Sequence, residues 1–127
     1  MIVLDASVLI AQLDDRDAHH ERAKRLLADT GGELLGASTI SLAETLVAPA
    51  RAGRLAEATA ALERLGVREL PLDDHASVRL AQLRTGTGRK LPDCCVLLAA
   101  REHHGTVASF DSALVDAAGA LGLSSLG

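Results

Sequence analysis

The sequence predicts one α/β domain over residues 1–127: a three-layer α/β/α sandwich around a central, mostly parallel sheet of about four to five strands. Three observations predict it. Short apolar stretches of strand length alternate with helical stretches, the pattern of successive βαβ units. Glycine and proline fall at the junctions between them. No internal repeat, low-complexity segment or linker divides the 127 residues, which suit one domain of ordinary size.

The elements follow in order. Residues 1–5, "MIVLD", form a short buried strand that runs into an acid. Residues 16–29 form an amphipathic helix that stops before Gly31-Gly32. Residues 33–38, "ELLGAS", are a second strand. Residues 40–53, "ISLAETLVAPARAG", are helical until Pro49 bends or ends the helix, and Gly53 marks a break. Residues 54–65 make another helix closed by Gly66, and 67–72, "VRELPL", a third strand. Residues 73–84 return to helix, and "TGTGRKLP" reads as a loop. Residues 93–104 are helical, with Gly105 as the C-terminal stop. Residues 106–110, "TVASF", give a fourth strand, 112–120 a helix, and "LSSL" a fifth strand.

Composition narrows the function classes. Hydrophobic residues make up 48% of the chain, and Phe110 is the only aromatic residue, so the core is aliphatic. One aromatic ring argues against a base-stacking platform for single-stranded nucleic acid. The net charge of −4 lacks the usual basic footprint of a nucleic-acid binder, so contact with nucleic acid would need bound cations or a local arginine cluster. No apolar run has membrane-spanning length and no signal peptide is visible, which reads as a cytoplasmic protein with no membrane partner. Cys94 and Cys95 are adjacent, which makes neither a disulfide framework nor a C-x-x-C motif; they read as buried thiols.

In open α/β sheets, ligands sit beyond the carboxyl ends of the strands. Four acids fall there: Asp5 ends the first strand, Glu44 lies in the first turns of the helix after the second, Asp93 opens the helix after "GRKLP", and Asp111 follows the fourth strand. Each has a structural alternative. Asp5 or Asp111 would serve as an N-cap. Ser41-x-x-Glu44 matches a capping box. Pro92-Asp93 is a good helix start. Together, however, the four sit in apolar surroundings that solvated caps do not need. Carboxylates converging on one sheet edge repel one another. A hard divalent cation, Mg²⁺ or Mn²⁺, resolves that conflict and would support hydrolysis of a phosphodiester.

"MIVLDASVLIA", "SLAETL", "KLPDCCVLLAA" and "SFDSAL", in that order and spacing, resemble the four acidic motifs of the PIN-domain ribonucleases. More narrowly, the short chain resembles the toxin half of bacterial type II toxin–antitoxin pairs of the virulence-associated C family. The resemblance implies a metal-dependent endoribonuclease with the first strand between the second and the fourth. It implies Asp5 and Asp93 as the principal metal ligands, Asp111 as a direct or water-bridged ligand, and Glu44 holding a second metal or positioning the attacking water. Ser7 and Ser109 would orient carboxylates. Some members carry a further acid two residues after the last; Ala113 stands at that place here, and Asp116 is a poor substitute. A cognate antitoxin, an RNA substrate and a homodimer are the implied partners.

Arg51, Arg54, Arg89 and Lys90 flank the acids in sequence and are candidates for RNA phosphate contacts, with solvated surface charge as the alternative. Gly86-x-Gly88 follows a helix and lacks the rest of a phosphate loop. His19-His20 and His103-His104 are adjacent pairs that cannot share a helix face, and they read as exposed helix residues. A phospho-accepting receiver domain would need two acids after the first strand and a lysine after the fifth; no lysine follows Lys90. A haloacid-dehalogenase-type phosphatase would need D-x-D where Asp5-Ala6-Ser7 stands. A catalytically silent PIN-like module that binds protein or RNA is the remaining alternative.

Overall fold

Five strands, β1 (Ile2–Leu4), β2 (Leu35–Ser38), β3 (Val67–Leu70), β4 (Thr106–Ala108) and β5 (Ser125–Leu126), form one sheet in the computed structural model, which describes residues 1–127. The order is β3-β2-β1-β4-β5 and every pairing is parallel. β1 is therefore the central strand, with Ile2 level with both Leu35 and Thr106, and Leu4 level with Ala108. A parallel strand covered on both faces must be apolar throughout, and Ile2, Val3 and Leu4 are 1%, 0% and 0% exposed.

Seven helices cover the sheet: α1 (Ala6–Leu13), α2 (His20–Ala28), α3 (Thr39–Arg51), α4 (Leu55–Leu65), α5 (Ala76–Thr87), α6 (Leu91–Glu102) and α7 (Ser112–Ala120). Alternation along the strands separates two cores. Val3 and Val107 face α5, α6 and α7, packing with Leu83, Leu97, Leu98 and Leu114. Ile2, Leu4, Leu35, Ala37 and Ala108 face the other way, against Val8, Leu9 and Ala23 of α1 and α2 and Leu62 of α4. The predicted three-layer α/β/α arrangement is present, with all five strands parallel.

Several boundaries differ from those the sequence predicts. Helix α1 is not predicted, because "ASVLIAQL" is a nearly continuous apolar run with no helical stripe to detect; four of its eight residues are buried. α3 begins at Thr39 with Ser38 as its cap and continues through Pro49, which lies close enough to the end that only two helical residues follow it. α5 extends to Thr87, because the hydroxyls of Thr85 and Thr87 bond back to carbonyls one turn earlier rather than forming a turn of their own. Gly105 is required for a different reason than predicted. The left-handed residue after α6 is His104 (φ 51°), whereas a Cβ on Gly105 would lie 2.9 Å from Val3 Cγ2 and 3.1 Å from the Met1 carbonyl oxygen. The close approach of this loop to β1 leaves room only for glycine.

Candidate active site

The parallel sheet brings the ends of β1 and β4 side by side, and their first residues beyond the strands make the floor of the site. The Asp5 amide donates to the Ala108 carbonyl at 2.9 Å, continuing the ladder past the strand ends. Asp5 occupies the N-cap position of α1, yet its side chain caps nothing. Instead its Oδ2 accepts from Ser7 Oγ at 2.7 Å and from Ser109 Oγ at 2.8 Å. Each hydroxyl is held from behind by a backbone amide: Phe110 N donates to Ser7 Oγ and Asp111 N to Ser109 Oγ, at 3.1 and 3.0 Å. Both serine protons are thus committed to Asp5. Oδ1 receives no hydrogen bond from the protein and is not sealed from solvent. Asp5, 9% exposed, presents one oxygen to the site from a buried and rigid mount.

Glu44 enters from α3. The register of that helix excludes the capping-box alternative: Ser38 is the N-cap, its hydroxyl accepting from Ser41 N at 3.1 Å, so Glu44 lies a full turn too late. Its carboxyl has no hydrogen-bond partner within the protein. Although the residue is exposed overall, its pKa is raised, first by partial burial of the carboxyl and then by the charges of Asp5 and Asp93. The charges of Asp5, at the end of β1, and of Asp93, in α6, therefore both reach Glu44.

Asp93 sits in the first turn of α6. Arg89 holds it through two hydrogen bonds to Oδ2, from Nε at 3.1 Å and Nη2 at 2.8 Å. The same Nη2 stands 3.7 Å from Asp111 Oδ2. Asp111 also caps α7, its Oδ1 accepting from the amides of Ala113 and Leu114 at 2.9 and 3.4 Å. The capping alternative holds for Asp111 without exhausting it, since Oδ2 still faces the Arg89 guanidinium. Asp116 lies exposed further along α7.

The donor chemistry fits a hard divalent cation: carboxylates from four elements, one with a free oxygen and one with no partner and a raised pKa. No three Asp, Glu, His or Cys side chains stand close enough to hold an ion, and Arg89 lies between Asp93 and Asp111. Of the other cations, Arg51 and Lys90 are exposed, and Arg54 is exposed and paired with Glu57. A groove of about 750 Å³ leads away from Glu44 between α1, α3 and α4, with Ile10, Ala48 and Ala61 in its wall and Arg16, Arg54 and Arg64 along it. Two of its walls are the helices of residues 40–65; the third, α1, is not legible in the sequence. The cysteines are buried as expected, and burial raises both thiol pKa values. His20 departs from the exposed reading: its Nδ1 lies 2.7 Å from the Ala11 carbonyl oxygen, which ties α2 to α1.

No helix is long and apolar enough to cross a membrane. The family model described as the PIN domain matches residues 2–120. No curated protein sequence matches this chain. Among solved structures, FitAcB from Neisseria gonorrhoeae shares 24% identity over 100% of this chain and 97% of that one, with a TM-score of 0.73. Mycobacterium tuberculosis VapC20, described as a sarcin-ricin loop cleaving toxin, shares 24% identity over 92% and 95%, with a TM-score of 0.72. A toxin–antitoxin complex from Klebsiella pneumoniae contains a chain 20% identical over 88% of each, also with a TM-score of 0.72. At these identities the likeness is one of fold.

Proposed function

We propose, from the premise that this chain belongs to the PIN domain family, that it is a metal-dependent endoribonuclease and the toxin of a type II toxin–antitoxin pair. The observation that carries the reading is the site floor: a buried aspartate with two hydroxyl donors on one oxygen and the other oxygen open, its charge reaching Glu44 together with that of Asp93. A structural aspartate in this place would have capped α1, and Asp5 does not.

In this reading Asp5, Glu44, Asp93 and Asp111 would hold Mg²⁺ or Mn²⁺, which when bound would polarise a phosphoryl oxygen and lower the pKa of a water. Ser7 and Ser109 fix the Asp5 carboxylate so that it needs no reorganisation during the reaction. Glu44, free of internal hydrogen bonds and with a raised pKa, orients the attacking water and accepts its proton. Arg51, Arg54 and Lys90, and Arg89 beside the acids, supply the local positive field for an RNA backbone that the net charge lacks. An antitoxin segment would lie along the groove that starts at Glu44, against the helices of residues 40–65; the toxin–antitoxin complexes among the structural neighbours support such a partner. Self-association into a dimer belongs to the same proposal.

The test is incubation of the purified chain with a panel of structured RNAs. Cleavage that requires Mg²⁺ or Mn²⁺ and stops on chelation is expected. Binding of RNA with no cleavage under any divalent cation would overturn the enzyme and leave the silent binding module standing.

A further inference from the structure

Cations around the site differ in how they are held. Arg89 is paired with Asp93 and Asp111, and Arg54 with Glu57, so their charges are neutralised within the chain. Arg51 and Lys90 are exposed, and their side chains make no hydrogen bond. Arg22 combines a fixed position with an unpaired charge. Its Cζ lies 4.4 Å from the centroid of the Phe110 ring, its Nη2 donates to the Gly127 carbonyl, and no carboxylate pairs with it.

Both supports stand at the edge of the sheet that carries the acids. Phe110 lies between Ser109 and Asp111, and its amide donates to Ser7 Oγ at 3.1 Å, so the same residue that carries the ring braces the site floor. The half-buried ring packs on the core between the sheet and helices α1 and α2. The His19 ring stands beside it, with centroids 5.3 Å apart. Ser109 N donates to the Leu126 carbonyl at 3.1 Å, which brings Gly127 to the same edge.

The placement answers no need of the fold. Arg22 is the third residue of α2, and a cation in the first turn of a helix opposes the macrodipole. An apolar side chain would cover Phe110 without adding a charge. A cation–π contact, unlike a carboxylate, holds the guanidinium without neutralising it. Only one of its N–H donors is used within the chain, which leaves the rest of the fork for an anion, and the planar fork suits a phosphate. The only aromatic ring of the chain is therefore covered by an arginine rather than offered to a base.

We propose that Arg22, mounted on Phe110, binds a phosphate of the RNA strand beside the site floor. The inference rests on the nuclease reading and deepens it by naming where the strand is held: on the β4 side of Asp5, whereas the groove leaves from the Glu44 side.

The test is steady-state cleavage of fluorescein-labelled structured RNAs with Mg²⁺ fixed and KCl varied. Arg22→Met is expected to raise KM roughly tenfold at low KCl, the loss of one charged hydrogen-bonded contact. Its kcat should stay at the parent value, because a contact away from the reacting atoms is made equally in ground and transition states. The difference in KM should narrow as KCl rises, since phosphate contacts weaken with salt. Arg22→Lys, which keeps the charge, should recover part of the loss. Arg25→Met removes the same charge from an exposed position one turn further along α2 and should leave both constants unchanged. Urea denaturation accompanies each variant, and Arg22→Gln replaces Arg22→Met if the latter fails to fold. A merely structural pin would lower the urea midpoint of Arg22→Met while leaving KM at the parent value or raising it equally at every KCl concentration. Either result, or an equal rise of KM in Arg25→Met, would overturn the contact and leave the nuclease intact. No cleavage by the parent under any divalent cation would overturn both.

Discussion

Asp5 and Glu44 are two carboxylates of one site kept in opposite conditions. Asp5 is buried, with two hydroxyl donors on one oxygen. Glu44 has no donor, and partial burial together with the charges of Asp5 and Asp93 raises its pKa. The consequence for stability has a definite sign. In the metal-free protein the folded state holds the Glu44 proton to higher pH than the unfolded chain does, so the native state binds more protons in that window. Stability from this group is full below the ordinary carboxyl value of 4.5 and is lost as pH rises through the raised folded value. Glu44→Gln should remove that part of the decline, so that with chelator present the variant equals the parent at low pH and exceeds it near neutrality. Urea midpoints across pH check this; an equal decline in both proteins would contradict it. In the sequence Glu44 is ambiguous, because Ser41-x-x-Glu44 matches a capping box. Only the structure shows that the helix is capped by Ser38 instead, and with it that Glu44 is not a capping residue.

At the scale of elements, Asp111 does two jobs with two oxygens, and isosteric substitution separates them. Asp111→Asn keeps the Oδ1 acceptor for the amides of Ala113 and Leu114 but removes the charge facing Arg89. Asp111→Ala removes both. Loss of an N-cap costs typically about 1 kcal/mol. The Asn variant should therefore keep stability to within a few tenths of a kcal/mol, the Ala variant should lose about 1 kcal/mol, and both should lose cleavage. Chemical denaturation alongside an RNA assay reads this; full cleavage by Asp111→Asn would confine the residue to capping. The same scale shows what local sequence signals resolve. α7 matches its predicted residues 112–120 because an acid cap and a strand precede it. α1 escapes detection because burial among other apolar elements removes the polar face that marks a helix. The general rule for helix ends picks out Gly105, but its physical reason, contact with β1, depends on tertiary packing.

Across the whole molecule, the strand order does the assembling. With β1 between β2 and β4, acids as far apart in the chain as Asp5 and Asp111 meet at one edge. The alternation of strands and helices makes the layers and the parallel sheet legible, and the acids at strand ends mark the candidate site. The pairing of Arg89 with Asp93 and Asp111 is not legible, since a basic residue four positions before an acid is equally at home on a solvated surface. If the four acids form one cation site, Mg²⁺ or Mn²⁺ should raise the melting temperature through mass action, and Asp5→Asn combined with Asp93→Asn should abolish the increment. An unchanged increment in the double variant would place the ion elsewhere. The most direct test of the central claim is the rate of RNA cleavage by Glu44→Gln with Mg²⁺ or Mn²⁺ present. Shape is preserved and only the charge is lost, and removal of one preorganised electrostatic group typically costs roughly 10²–10³ in rate. A fall of that size with the fold intact is predicted; cleavage at the parent rate would contradict the assignment of this acid cluster as the catalytic centre.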